Sequence, residues 1–192
     1  MTISLKKGAN ISLTKEAAGL SEVTVGLGWK PRATDGAEFD LDASVFMLGV
    51  DEKVLGDGSF VFYGSKVSPC GSVVHQGDNR DGEGEGDDEQ INVNLSGLPS
   101  DVKKLAFSVS IYEHAERNQN FGQVSNAYIR ILNKADGVEL ARFDLSEDAS
   151  TETAMIFAEV YNHNGEWKFK AIGQGYEGGL SNLAQSFGVN LG

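Results

Sequence analysis

Apolar and polar residues alternate with a period of two through much of this chain. In residues 10–14 (NISLT) Ile11 and Leu13 share one face, and in residues 23–29 (VTVGLGW) Val23, Val25, Leu27 and Trp29 do the same. That period places successive side chains on opposite faces of a strand. Further runs rich in Val, Ile, Phe and Tyr, bounded by Gly, Asp, Asn or Ser, occupy residues 38–48, 59–63, 90–95, 104–111, 124–132, 139–145 and 166–172. Many short strands separated by turn residues predict a mainly β fold, an antiparallel β-sandwich of two packed sheets. Helical periodicity is sparse. Residues 151–161 (TETAMIFAEVY) put Ala154, Met155, Ala158 and Tyr161 on one stripe, with Ser150 as N-cap and Asn164-Gly165 as the break into the next strand. Residues 179–187 suit a short closing helix and residues 114–121 a helical turn, so one or two short peripheral helices are expected. No low-complexity linker divides the chain, and residues 1–192 read as a single domain.

Charge changes the picture most. The 192 residues carry 16 Lys+Arg against 28 Asp+Glu, a formal net charge of −12. Such a surface repels phosphate backbones and anionic lipid, which disfavours binding to nucleic acid and polybasic attachment to membranes. The single cysteine, Cys70, can form neither an internal disulfide nor a thiolate zinc site. It sits in the turn-like sequence Ser68-Pro69-Cys70-Gly71, without a basic neighbour to activate it. The N-terminal sequence MTISLKKG has no apolar run behind its lysines, and no stretch approaches the roughly 18 apolar residues of a membrane span. A soluble, acidic, cytoplasmic protein without direct membrane insertion is expected.

The negative charge is concentrated. Residues 78–89 (DNRDGEGEGDDE) hold seven carboxylates and one arginine, a local charge of −6, with glycine at 82, 84 and 86. A solvated charge run is the bland reading. A cation site is the sharper one and is preferred here. Like charges this dense resist compaction unless a cation offsets them, the donors are all oxygen, and the glycines let the backbone bend its carbonyls inward. Hard Ca²⁺, which takes 6–8 oxygens in flexible geometry, suits the loop better than Mg²⁺. Asp78 and Glu89 fall at positions 1 and 12 of an EF-hand loop, but Arg80 at position 3 and Glu83 at position 6 break that pattern, and the flanks read as strands.

A second cluster lies in Phe39-Asp40-Leu41-Asp42-Ala43, where the strand period puts Asp40 and Asp42 on one face while Phe39, Leu41 and Ala43 face the core. Taken alone the pair reads as the polar face of an edge strand; beside the loop it reads as a shared metal edge. The sequence also echoes itself. Asp35-Gly36 followed by Phe39-Asp40-Leu41 resembles Asp136-Gly137 followed by Phe143-Asp144-Leu145, either by chance or as a pseudo-repeated strand pair delivering carboxylates to one edge. At the end of the second copy, Asp148 could contribute to the metal edge or cap the helix.

With FDLDAS, GDNRDGEGEGDDE and DLSEDASTETAM in view, the chain closely resembles the TerD-type tellurium-resistance and stress-response family. The resemblance spans nearly the whole length. It includes the start at residues 3–13, Val25-Gly26-Leu27-Gly28-Trp29, Phe121-Gly122-Gln123-Val124, and Gly165-Glu166-Trp167-Lys168-Phe169 with Gly173-Gln174-Gly175-Tyr176. It implies a calcium-binding β-sandwich, generally with two Ca²⁺ ions at neighbouring sites on one edge. It also implies a cytoplasmic protein acting beside other tellurium-resistance proteins, membrane-embedded ones included, and through them peripheral to the inner membrane. The implied metal ligands are Asp40, Asp42, Asp78, Asn79, Glu83, Glu85, Asp87, Asp88 and Glu147. Position 81 is Asp, where many members of the family carry Thr.

Together these features point to a non-enzymatic Ca²⁺-binding stress-response module that contributes to tellurite resistance through metal-dependent docking to partners. The alternative is a hydrolase using the acidic cluster or carboxylate-bound metal with a histidine. His75, beside the loop, is the best-placed histidine for that, although a surface or core role suits it better. His114 and His163 are scattered, no GxSxG elbow is present, and seven clustered acids fit poorly with the two-carboxylate geometry of glycosidases.

Overall fold

The computed structural model describes residues 2–31, 35–77, 80, 82, 86–145 and 151–191. Twelve strands and three short helices follow one another among them: β1 (Ile3–Ser4), β2 (Asn10–Ser12), α1 (Leu13–Glu16), β3 (Glu22–Gly28), β4 (Leu41–Leu48), β5 (Phe60–Val61), β6 (Val73–His75), β7 (Glu89–Asn94), β8 (Lys104–Ile111), α2 (His114–Arg117), β9 (Tyr128–Asn133), β10 (Glu139–Asp144), β11 (Ala154–His163), β12 (Glu166–Tyr176) and α3 (Gly179–Ser186). They form two six-stranded sheets, in the orders β1-β10-β9-β3-β7-β6 and β2-β12-β11-β8-β4-β5. Every pairing is antiparallel except the short β1–β10 contact. The expected two-sheet β architecture is therefore present. Among the described residues no helix is long and apolar enough to cross a membrane.

The inward-facing residues of both sheets make the main core, with Val23, Val25 and Leu27 of β3 opposite Leu41, Val45 and Met47 of β4. A second apolar cluster lies on the outer face of the second sheet. There Phe46 and Leu48 of β4, Phe60, Ala106, Ala154 and Ile156 are covered by Leu183 and Ala184 of α3 and by Val189 beyond it. The central strands of this sheet are consequently buried on both faces, and all eight residues of β4 are buried.

That double burial explains the one expected element that is overturned. Residues 151–161 do not form a helix; β11 occupies most of the segment, hydrogen-bonded between β8 and β12. Residues 154–158 are apolar without a break because Met155 and Phe157 face the main core while Ala154 and Ile156 face α3. A bulge between Ile156 and Ala158 shifts the phase further. With alternation erased, the i, i+4 coincidences resemble a helical stripe. Asn164 and Gly165, both at positive φ (53° and 82°), form the two-residue turn of the β11–β12 hairpin rather than a helix stop. Ser150, the expected N-cap, lies outside the described residues.

The two FDL segments reach one rim from different sheets and in opposite directions. Phe39-Asp40 leads into β4, whereas Phe143-Asp144 closes β10. The echo therefore does not mark equivalent strands.

Because α3 covers the outer face of the second sheet through Leu183 and Ala184, truncating its fully buried anchor, Leu183→Ala, is expected to cost about 2–5 kcal/mol by the usual penalty of a Leu-sized cavity. Urea unfolding followed by circular dichroism measures it.

Candidate metal-binding rim

Asp40 and Asp42 sit where β4 begins, on the strand face that further along carries Phe46 and Leu48. Both are nearly enclosed, at 7% and 5% exposure. They line a pocket of about 150 Å³ with Tyr63, Arg80, Tyr112 and Arg117. The approach to β4 is held by side-chain donors. Gln119 Nε2 donates to the carbonyls of Ala37 (2.8 Å) and Glu38 (3.2 Å), and Trp29 Nε1 donates to that of Phe39 (3.1 Å). Tyr112 N–H donates to the Asp40 carbonyl at 2.9 Å, fixing the strand against β8. The carboxylates are thus presented on a backbone fixed on several sides.

Two described residues of the acidic segment, Arg80 and Gly82, reach the same rim. Arg80 lines the Asp40–Asp42 pocket. Gly82, at φ +70°, lies flat on the Trp29 indole, where a Cβ would collide with Nε1; only glycine fits there. The far end of the loop is tied down residue by residue. Asp87 packs over Gly26, which has no Cβ to obstruct it, and accepts from Arg130 Nε at 2.7 Å. Tyr128 Oη lies 2.8 Å from the Gly86 carbonyl and 3.1 Å from Asp87 Oδ1, its one proton serving either. Arg130 also holds Glu139, at 2.9 Å. Burial opposes the Arg130 charge, but the hydrogen bonds to Asp87 and Glu139 outweigh it and raise the pKa. Burial, and then the Asp87 carboxylate, push the Tyr128 phenol up to about 12. Asp88 Oδ2 accepts from Trp29 N–H at 2.9 Å.

Glu89 and His75 reach further in. Both side chains are fully buried between the sheets, 3.5 Å apart. β5 pairs with β4 only at Val45 and Phe46, so it stops short of Ala43. There the Ala43 N–H donates to Glu89 Oε2, and the Ala43 carbonyl lies 3.2 Å from His75 Nε2. The Gly77 N–H donates to His75 Nδ1 at 3.2 Å, so the imidazole carries its proton on Nε2. Two side chains from the first sheet thereby stand in for a missing strand at the residue next to Asp42. In the sequence Glu89 is one of the loop acids and His75 the best-placed histidine beside the loop, for which a surface or core role is expected; the core role is the one found. Their joint contact with a β4 peptide depends on sheet-to-sheet packing that no local pattern reveals.

Of the nine expected ligands, the structure brings Asp40 and Asp42 together. Asp87 is turned to Arg130 and Tyr128 on the outer face of the first sheet, and Asp88 caps the Trp29 amide. Asp78, Asn79, Glu83, Glu85 and Glu147 lie outside the described residues. Among the described residues no group of three or more His, Cys, Asp or Glu is close enough to hold a metal ion. The donor chemistry of the Asp40–Asp42 pair is nevertheless that of a hard cation: two buried carboxylates with neither sulfur nor imidazole in the pocket lining.

Fold and rim define a two-sheet β protein with an acidic edge. The model of the TerD domain matches residues 1–187, and the chain belongs to that family. It is 55% identical over 190 residues to the tellurium resistance protein TerD of Serratia marcescens, covering 99% of each chain. To general stress protein 16U of Bacillus subtilis (strain 168) it is 52% identical over 193 residues, covering 100% of each. A solved structure from Streptomyces coelicolor A3(2), described as a homologue of the telluride resistance protein TerD, superimposes with a TM-score of 0.72 at 24% identity, over 90% of this chain and 99% of that one; it shares the fold.

Glu89→Ala leaves the buried Ala43 N–H without its acceptor and is expected to destabilise the protein by about 2–3 kcal/mol, and Glu89→Gln, which keeps a carbonyl acceptor, by less than half as much. Urea titration of both variants checks this. The raised phenol pKa makes the Tyr128 contribution complete below pH 10 and lost as the pH rises to about 12. Ultraviolet difference titration of Tyr128→Phe against the parent is expected to lack an ionisation near 12.

Proposed function

We propose that this chain is a non-enzymatic Ca²⁺-binding stress-response protein that contributes to tellurite resistance by metal-dependent docking to other proteins. The observation that carries the reading is the pair of buried, oxygen-only donors, Asp40 and Asp42, with Arg80 of the acidic segment lining the same pocket. Two carboxylates on one strand face, about 7 Å apart along the chain, repel each other, and a divalent ion shared with loop oxygens, backbone carbonyls and water offsets that repulsion. Asp78, Asn79, Glu83, Glu85, Asp87, Asp88 and Glu147 would supply the remaining side-chain oxygens, in one or two ion sites. Of these, Asp87 would first have to leave Arg130.

The relatives bear names of tellurium resistance and general stress. Direct capture of tellurite suits the chain poorly, because tellurite is an anion and the net charge is −12. Reduction of tellurite by thiols is equally poorly served by one cysteine. Protection is therefore indirect, exerted from the cytoplasm through other tellurium-resistance proteins, a membrane-embedded partner among them. Support for a binding rather than a hydrolytic role comes from His75. It is buried, both ring nitrogens face backbone groups, and it is not offered to a substrate.

Calorimetric titration with Ca²⁺ and Mg²⁺ is the direct test, giving stoichiometry and preference together. At 100-fold excess over Kd, bound Ca²⁺ stabilises a native state by about 2.7 kcal/mol, which for a chain of this size raises Tm by roughly 5–10 °C and is reversed by EDTA. The Asp40→Asn, Asp42→Asn double variant is expected to lose most of that rise. A melting curve indifferent to millimolar Ca²⁺ would overturn the reading.

A further inference from the structure

We propose that Arg117, assisted by Arg80, is a built-in counter-cation of the rim: it neutralises Asp40 and Asp42 when no metal is bound, and an arriving divalent ion has to displace it. This rests on the reading of the rim as a cation site and adds the residue that sets its affinity.

The pocket of about 150 Å³ is lined by two carboxylates and two guanidiniums, those of Arg80 and Arg117, between Tyr63 and Tyr112. Arg117 Nη1 lies 4.0 Å from Asp40 Oδ2, a Coulombic contact too long for a strong hydrogen bond. Its firmer contacts lie to one side of the site. Nε and Nη2 both donate to Glu113 Oε2, at 3.3 and 3.1 Å, Nη1 is 3.5 Å from the Glu38 carbonyl, and the guanidinium carbon stands 5.5 Å from the centre of the Tyr112 ring. The guanidinium can thus withdraw along Glu113 and Tyr112 without losing every partner.

The backbone that delivers Arg117 is unusual. α2 is a single turn bracketed by two non-glycine residues in the left-handed region, Glu113 at φ 48° and Asn118 at φ 51°. Backbone of this kind concentrates at switch and ligand sites, and here it brackets the turn whose Arg117 reaches to 4.0 Å from Asp40. α2 also borders a neighbouring cavity of about 360 Å³ that shares Asp42, Tyr63 and Tyr112 with the pocket and extends to Leu180 of α3.

A positive charge some 4–6 Å from a divalent ion opposes it in water-like dielectric by enough to weaken binding roughly tenfold. Arg117→Gln is accordingly expected to bind Ca²⁺ roughly tenfold more tightly than the parent in calorimetric titration, and Arg117→Lys, which retains the charge, to stay within about threefold of it. The melting temperatures should move in opposite directions. In EDTA, Arg117→Gln melts below the parent because the Asp40–Asp42 pair has lost one of its two neighbouring guanidiniums, while its gain on adding Ca²⁺ exceeds the parent's. A merely structural arginine would lower both. If the parent binds Ca²⁺ and Arg117→Gln binds it equally or more weakly, the counter-cation is overturned while the cation site stands. If Arg117→Gln does not fold in EDTA, Arg117→Lys decides: Ca²⁺ affinity changed more than tenfold with the charge intact overturns the proposal, and parental affinity upholds it. If the parent binds no Ca²⁺, both readings fall.

Discussion

The peptide of Ala43 is the point on which the rim depends. β4 is buried on both faces, so each of its backbone groups needs a partner inside the protein. β5 is two residues long and pairs at Val45 and Phe46, which leaves the next inward-turned peptide, that of Ala43, to Glu89 and His75. One contact therefore joins the two sheets, anchors the end of the acidic loop and fixes the strand residue adjoining Asp42. An ordinary third rung of β5 would satisfy the same groups without tying the loop to the Asp40–Asp42 face.

The loop is held at its C-terminal end by three successive carboxylates with three different partners. Asp87 meets Arg130 and Tyr128 on the outer face of the first sheet, Asp88 caps the Trp29 amide, and Glu89 enters the core. Acidic residues that look interchangeable in the sequence are thus divided among separate structural partners. The division lowers the number of negative charges the loop must bring together, and it places the loop's described middle residues, Arg80 and Gly82, against the pocket and Trp29. Net charge disfavours phosphate-rich partners; these local pairings fix where part of that charge lies.

The rim also carries its own opposing charge. Arg117 and Arg80 stand beside Asp40 and Asp42 in one small pocket, and the turn that presents Arg117 is bounded by left-handed residues at both ends. On the proposed reading of the rim as a cation site, an arriving ion would exchange with these guanidiniums rather than fill a void.

The sequence by itself determined the strands whose two faces meet different surroundings. β3, β7, β8 and β10 were legible because one face meets the core and the other solvent or a polar layer, or because β-branched and aromatic residues dominate. It also determined the acidic edge, the family and the pairing of Asp40 with Asp42 on one face, since all of these follow from local spacing and composition. Tertiary structure alone decided β11, where α3 covers the outer face and removes the alternation that distinguishes strand from helix; the Asn164-Gly165 pair was the one local sign of a hairpin there. It alone separated the roles of Asp87, Asp88 and Glu89, and gave His75, Gln119 and Arg117 their partners. Their distant partners, Ala43, Ala37 and Glu38, lie 32 to 82 residues away along the chain, brought into contact only by the packing of one sheet on the other and by the closure of the rim, and contacts at that range leave no periodic trace in a sequence.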